Sequence, residues 1–438
     1  MRRITGAARS ASASPLRHLL NSKFNQDVLW NVGSLAFLAG GGVLINLIIM
    51  RFRGEAALGV FNQVYAFYIV LSQLGVGGLQ HSVLKHVSYH QDDRPLCADI
   101  TTSALLLILA ITLPLILASV ALAEPVGRLL NSQQVALGLQ LAAPGLLFFA
   151  FNKALINTLN GLRHMRAYAV FRSLRFVLIP LVIVAVVALG LEDAWLALSL
   201  TAAEVVLFFA LAAYVFGRAV PLRWPHKANK RFAEHISFGA RGLLSGILLE
   251  LNTRVDVLML GFFTTDATVG IFSFAAIMAE GFAQLPLAVR WNVDPIIGRY
   301  FAEGRHDQIS ALARRIRRVF YPIMVGVGLV AVGVYPLFYR LMTDGVELSA
   351  SWQVFAIIML GVTLGAGYRP FSGLLLQGGR PGSYTAFVVG LVSFNVVMNV
   401  LLIPNFGLYG AATATMMTLG AEALLLVVLA RRMFAVRL

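Results

Sequence analysis

Residues 242–263 read GLLSGILLELNTRVDVLMLGFF. The stretch is apolar and long enough to cross a bilayer, which takes about 20 residues at a rise of about 1.5 Å each. Yet Glu250, Asn252, Arg254 and Asp256 stand in its middle and second half. A charge at the centre of a membrane helix costs roughly 2.5–3.5 kcal/mol on insertion scales. Such residues persist where they face a protein interior or a water-filled cavity, and they are candidates for function.

Outward from this stretch the chain stays apolar. Its 438 residues are 58% hydrophobic and 13% charged, against about 25% charged in a soluble protein. Apolar runs recur, and the sequence predicts an all-α integral membrane protein with twelve spans. These lie at about 28–50, 57–81, 99–122, 136–160, 168–190, 195–217, 240–263, 268–293, 318–340, 350–374, 383–403 and 408–430. The net charge of +15 would suggest nucleic acid for a soluble chain. Here it is topological. With both termini on one side, 29 of the 35 Lys and Arg fall on that side. The positive-inside rule then places both termini in the cytoplasm, with no nucleic-acid partner needed. The N-terminus, MRRITGAARSASASPLRHLL, has a transit-peptide composition but no long apolar core, and reads as a cytoplasmic tail rather than a cleaved signal.

No enzyme motif is present. There is no P-loop, and the eight His lack metal-ligand spacing. A single cysteine, Cys97, excludes a disulfide framework and a cysteine metal cluster. No catalytic residue, cofactor or metal is expected.

The chain repeats internally. Leu58-Gly-Val-Phe61 matches Val269-Gly-Ile-Phe272, and Gln73-Leu74 matches Gln284-Leu285, both at an offset of 211. Glu204 corresponds roughly to Glu422. This predicts two pseudo-symmetric six-helix lobes in parallel orientation, with the substrate path between them. The boundaries are a cytoplasmic tail at 1–26, an N-lobe at 27–217, a basic connector at 218–239, a C-lobe at 240–430 and a C-terminal tail at 431–438.

Within 242–263, Glu250 and Arg254 are four apart and can pair on one face. Asn252 and Asp256 lie about 200° around the helix, so one pair meets the cavity and the other a helix of its own lobe. Arg254 reads either as a cationic contact for an anionic substrate or as half of a structural ion pair. Glu280 and Gln284 are one turn apart, followed by Pro286, which loosens the helix, and Arg290, which reads either as a substrate contact with Gln284 or as a side chain snorkelling to the cytoplasmic interface. Glu280, at mid-depth, suits a group that takes and releases a proton. Glu250 is a further coupling candidate, as are Glu204 and Glu422, each the lone charge on its helix, which read alternatively as buried hydrogen-bonding groups. Lys153, Asn157 and Asn160 form one polar stripe, and Lys153, the only basic residue expected well inside an N-lobe span, reads as a substrate contact or as a side chain snorkelling to the cytoplasmic end. Asn31 and Gln63 suit sugar hydroxyls or helix–helix hydrogen bonds.

Several stretches carry a family resemblance: RFRGEAALGVF at 51–61, GLRHMRAY at 161–168, RVDVLMLG at 254–261 and NVVMN at 395–399 followed by LLIPNFGLYGAATAT at 401–415. The chain resembles the polysaccharide-transport branch of the multidrug/oligosaccharidyl-lipid/polysaccharide exporter superfamily. That resemblance implies alternating access by a V-shaped pair of lobes in the bacterial inner membrane. The implied cargo is an undecaprenyl-diphosphate-linked oligosaccharide for O-antigen, capsule or exopolysaccharide assembly. The implied partners are membrane lipids, a coupling proton or sodium ion, and a polysaccharide polymerase with its export machinery. It assigns Arg254, Asp256, Glu280 and Gln284 to the cavity. A multidrug or small-molecule antiporter, a lipid II flippase and a membrane glycosyltransferase or polymerase are the alternatives; the lipid II flippase would have fourteen spans and the last a large outer loop.

Overall fold

The computed structural model describes residues 23–226, 228–342 and 348–438, with backbone alone over 23–39 and at a few positions near 228–249 and 342–348. Among these residues every regular element is a helix. In order they are α1 (Lys23–Val76), α2 (Leu79–Tyr89), α3 (Arg94–Leu129), α4 (Gln133–Ala142), α5 (Gly145–Gly161), α6 (Met165–Ala188), α7 (Leu198–Tyr214), α8 (Ala228–Phe263), α9 (Asp266–Ala302), α10 (His306–Met342), α11 (Leu348–Ala366), α12 (Leu374–Gln377) and α13 (Pro381–Phe434).

Two of these run 54 residues but are broken within. Gly54 takes φ 82° and ψ −172°, and Gly407 takes φ 53° and ψ −130°, both regions that an L side chain enters only under strain. Each glycine lets the chain fold back within one residue. Helix ends elsewhere are capped by ordinary chemistry: Asp93 accepts from Leu96 N at 2.9 Å, and Thr265 accepts from Thr268 N at 3.4 Å.

The span expected at 136–160 is two helices, α4 and α5, bent by 45°. Pro144 lacks the amide that would continue the ladder. Thr201 repairs the break: its Oγ1 donates to Leu141 O at 2.7 Å and accepts from Gly145 N at 3.1 Å, while Tyr68 OH donates to Gly145 O at 3.1 Å. Inside a bilayer no water can do this, so side chains must. The span expected at 350–374 ends at Ala366 and passes through a 3-10 turn, Arg369–Phe371, into α12. The first four residues of the expected C-terminal tail, 431–434, continue the helix. After Phe434 the chain tucks back, with Val436 and Leu438 buried and Arg437 N donating to Ser310 Oγ at 2.9 Å.

Seven helices are long and apolar enough to cross a membrane among the described residues, eight if α4 and α5 count as one span. Their outward faces carry exposed Leu113, Leu117, Leu181, Phe209, Leu329, Leu337 and Leu424, the surface a hydrocarbon solvent favours. The chain is a multi-pass helical membrane protein.

The turns at Gly54 and at 264–265 share one end of the molecule, here the turn end. The apolar core nearest it is continuous between the first half of the chain and α8–α11, from Ile49 and Leu58 through Leu260, Phe272 and Phe274. A second core, with Val293, Ile297, Ile309, Phe371, Leu391 and Leu426, belongs to the second half alone. The halves share one core at the turn end; at the opposite end the second half has a core of its own, and the start of α8 crosses to the first half, where His235 meets Ser82 and Ile100 and Gly239 packs on Gly77 and Gly78.

Candidate functional site

Helix α8 stands between the halves, and its polar residues divide as its periodicity demands. The Glu250–Arg254 face turns toward α1. Glu250 Oε1 accepts from Gln73 Nε2 at 3.2 Å. The Arg254 guanidinium lies 5.2 Å from the centre of the Tyr65 ring, and its Nε is buried without a hydrogen bond. The expected Glu250–Arg254 pair does not form among the described residues, because each side chain is drawn to a different partner on α1.

The opposite face turns into its own half. Asp256 is buried; its Oδ1 accepts from Asn399 Nδ2 at 2.6 Å and its Oδ2 from Thr415 Oγ1 at 2.7 Å. Asn399 also donates to Asn395 Oδ1 at 2.9 Å, and Asn395 to Thr418 Oγ1 at 3.3 Å. Helix α13 thus contributes two Asn one turn apart on one arm and two Thr on the other. Asp256, expected in the cavity, is buried against α13.

The first half supplies more cations than the sequence suggests. Lys153 Nζ lies 5.2 Å from the Phe149 ring centre, and Arg175 Cζ 4.4 Å from the same ring. Arg175 stands ten residues into α6, which starts at Met165, so it is well inside the span and not in the preceding loop. It pairs with Glu204, which also accepts from Asn152 Nδ2 at 2.8 Å. Glu204 is therefore not a lone charge, and neither is Glu422, whose Oε2 lies 3.2 Å from Arg369 Nε.

These groups lie within electrostatic reach of two residues of the first half, Tyr65 and Lys153. Arg254, Arg175, Glu250 and Glu280 all act electrostatically on Tyr65, and Arg175, Glu250, Glu204 and Arg172 on Lys153. Three cations in this set, Lys153, Arg172 and Arg254, have no ion pair among the described residues, and Arg172 donates to Tyr168 OH at 3.2 Å. Glu280 and Gln284 are exposed in the structure. Arg290 pairs with Asp294 at 3.2 Å along α9. Gln63 is buried at the turn end, where its Nε2 donates to Asp266 Oδ1 at 2.6 Å. Asn31 lies outside the described side chains.

Among the described residues no group of three or more His, Cys, Asp or Glu could hold a metal ion. The Asp256 cluster is a different kind of set. It has one carboxylate, the Asn395 amide, the Thr415 hydroxyl, and an Asn399 Oδ1 that is buried without a partner. Turning the Asn399 amide over would aim that oxygen inward. One formal charge among neutral oxygens suits a monovalent cation or a proton, not a transition metal.

Sequence reasoning missed Arg175, Tyr65 and the role of α13. The signal for the last was present in Asn395-Val-Val-Met-Asn399, whose spacing places both amides on one face. Nothing in the sequence says which helix that face meets.

Residues 24–280 match the family described as polysaccharide biosynthesis protein. The "Probable flippase AglR" of Haloferax volcanii is 23% identical over 391 residues, 87% of this chain and 78% of that protein. Among solved structures, an inward-facing multidrug resistance MATE family transporter of the MOP superfamily superposes with a TM-score of 0.75 at 14% identity, covering 92% of this chain and 94% of that one. The lipid II flippase MurJ in an inward closed conformation superposes with a TM-score of 0.71 at 14% identity, covering 92% and 87%. At such identity these two likenesses concern the fold.

Proposed function

Because this chain belongs to the polysaccharide biosynthesis protein family, we propose that it flips a lipid-linked oligosaccharide of the undecaprenyl-diphosphate type across the cytoplasmic membrane by alternating access. The cargo would serve the assembly of a surface polysaccharide, with a polymerase and export machinery downstream. The observation that carries this reading is a half-buried cation from each half of the chain, Lys153 and Arg254, neither with an ion pair among the described residues. A half-buried cation without a counter-ion is costly unless a ligand supplies one. A diphosphate supplies two negative groups, and Arg binds phosphate oxygens through a planar fork. The aromatic rings of Tyr65 and Phe149 hold the cations in place meanwhile.

In this reading the breaks at Gly54 and Gly407, with α4 and α5 taken as one span, make twelve spans in two lobes of six. Both termini are cytoplasmic, and the turn end faces outward. The second half's own core at the tail end then belongs to a state closed outward. Coupling passes through Asp256 rather than Glu280 or Glu204. A cation or proton on its carboxylate would turn the Asn399 amide and shift α13 against α8, and α8 carries Arg254. Glu250, hydrogen-bonded to Gln73, tunes the same cavity across the lobes. The relatives reported above are transporters, which weighs against a glycosyltransferase or polymerase.

The test is flipping of a fluorescent lipid-linked oligosaccharide in proteoliposomes. Loss of one charge-assisted contact costs about 1.5–3 kcal/mol, so Arg254→Ala and Lys153→Ala should each raise the half-saturating substrate level by about tenfold or more. Wild-type saturation by both variants would exclude the diphosphate reading. Retained transport of an organic cation by them would favour a small-molecule antiporter.

A further inference from the structure

We infer that the turn end is sealed by a reciprocal glycine contact, Gly59 against Asp266 and Gly270 against Glu55, clasped by Gln63 and Ser132 on the Asp266 carboxylate. A Cβ added at Gly59 would fall well inside van der Waals contact of the Asp266 carbonyl oxygen and 3.0 Å from Gly270 N. A Cβ added at Gly270 would meet the Glu55 carbonyl oxygen in the same way and lie 3.1 Å from Glu55 Cα. The two contacts are images of each other. Glu55 and Asp266 differ by 211 in number, and so do Gly59 and Gly270, the same offset that relates Leu58-Gly-Val-Phe61 to Val269-Gly-Ile-Phe272. The repeat in the sequence is thus a self-complementary surface, each copy's glycine receiving the other's backbone.

The clasp breaks the symmetry. Asp266 Oδ1 accepts from Gln63 Nε2 and Oδ2 from Ser132 Oγ, both at 2.6 Å. These charge-assisted bonds tie the start of α9 to both α1 and the N-cap of α4. Gly261 of α8 packs against the Gln63 amide, so a third glycine lets the clasp close. Backbone-to-backbone packing of this kind leaves no side chain to give way. It is either closed or broken, which is what an alternating seal requires. The inference rests on the alternating-access reading, but its test does not use the oligosaccharide.

The experiment reads access to the seal. Ser273, buried on α9 one turn beyond Gly270, is replaced by Cys in a Cys97→Ser background. An impermeant maleimide is applied to intact cells and, separately, to inverted vesicles. Overpacking a close contact costs about 1–3 kcal/mol, so Gly59→Ala and Gly270→Ala should each speed labelling by roughly tenfold, and in one of the two preparations only. The double variant should add little to either, since one wedge already parts the helices. Gly281→Ala, also on α9 but with nothing within 4 Å of its added Cβ, should label at the parent rate. Asp266→Asn weakens the clasp without adding bulk and should also speed labelling, which covers the case of an alanine variant that fails to fold. Labelling of both alanine variants and Asp266→Asn at the Gly281→Ala rate would overturn the seal. Faster labelling with no oligosaccharide flipping in the parent would leave the seal standing and remove the substrate.

Discussion

Glu204 is where a coupling role and a structural role make opposite predictions. Its side chain is 2% exposed and that of Arg175 18%, so the pair lies in a low-dielectric interior. Replacing Glu204 with Gln keeps the shape and the hydrogen bond from Asn152, and removes the charge that compensates Arg175. Breaking one side of a buried pair costs about 3–5 kcal/mol. The Phe149 ring 4.4 Å from the Arg175 guanidinium returns about 0.5–2 kcal/mol as a cation–π contact, but that contact is already present and does not change. The expected loss is therefore about 3 kcal/mol or more. Membrane proteins inactivate irreversibly on heating, so the loss is read as a rate. Detergent-solubilised Glu204→Gln should lose monodispersity on size exclusion up to about a hundredfold faster than wild type at a fixed temperature. Arg175→Met with Glu204→Leu should recover most of the difference, since apolar replacement of both partners of a buried pair is often neutral. A Glu204→Gln protein that inactivates at the wild-type rate but no longer transports would refute the structural reading and return Glu204 to ion coupling.

Other outcomes follow from the same geometry. Asn399→Ala removes a donor to the Asp256 carboxylate and one oxygen of its cluster. It should raise the sodium or proton concentration for half-maximal transport by about tenfold, and an unchanged ion dependence would take coupling away from Asp256. His235, at the tail end of α8, is buried with Nδ1 2.9 Å from Ser82 Oγ and Nε2 3.1 Å from Ile100 O. Burial lowers its pKa from 6.5 to about 4, with His86, Glu234 and Arg231 as the charged neighbours. The neutral form is the folded form, so its contribution is intact above pH 6.5 and is lost as pH falls toward 4, about 2 kcal/mol by pH 5. Heat stability should fall correspondingly between pH 7 and 5 in wild type, and His235→Gln should flatten that profile. Gly407→Ala forces a side chain into a positive-φ turn and should destabilise by about 1–3 kcal/mol, seen as faster heat inactivation.

The class of the protein was legible in composition alone, because hydrocarbon solvent imposes long apolar helices and little else. The repeat was legible too, as an offset of 211 between two short glycine motifs, but the tertiary structure decided that the two copies meet. The four polar residues of 242–263 announced a helix with two occupied faces, since period 3.6 fixes their angles. Periodicity could not say what lay opposite. Tertiary structure decided that Arg254 meets Tyr65 of α1 while Asp256 meets Asn399 and Thr415 of α13. It also placed Arg175 inside the span against Glu204, and closed Gln63 into the turn-end contact. The reason is physical. Each helix carries its own angular pattern in its own residues, but the partner that neutralises a buried charge comes from another helix 29 to 159 positions away. The local sequence fixes that a charge must find a partner, and only the packing of the whole bundle chooses which.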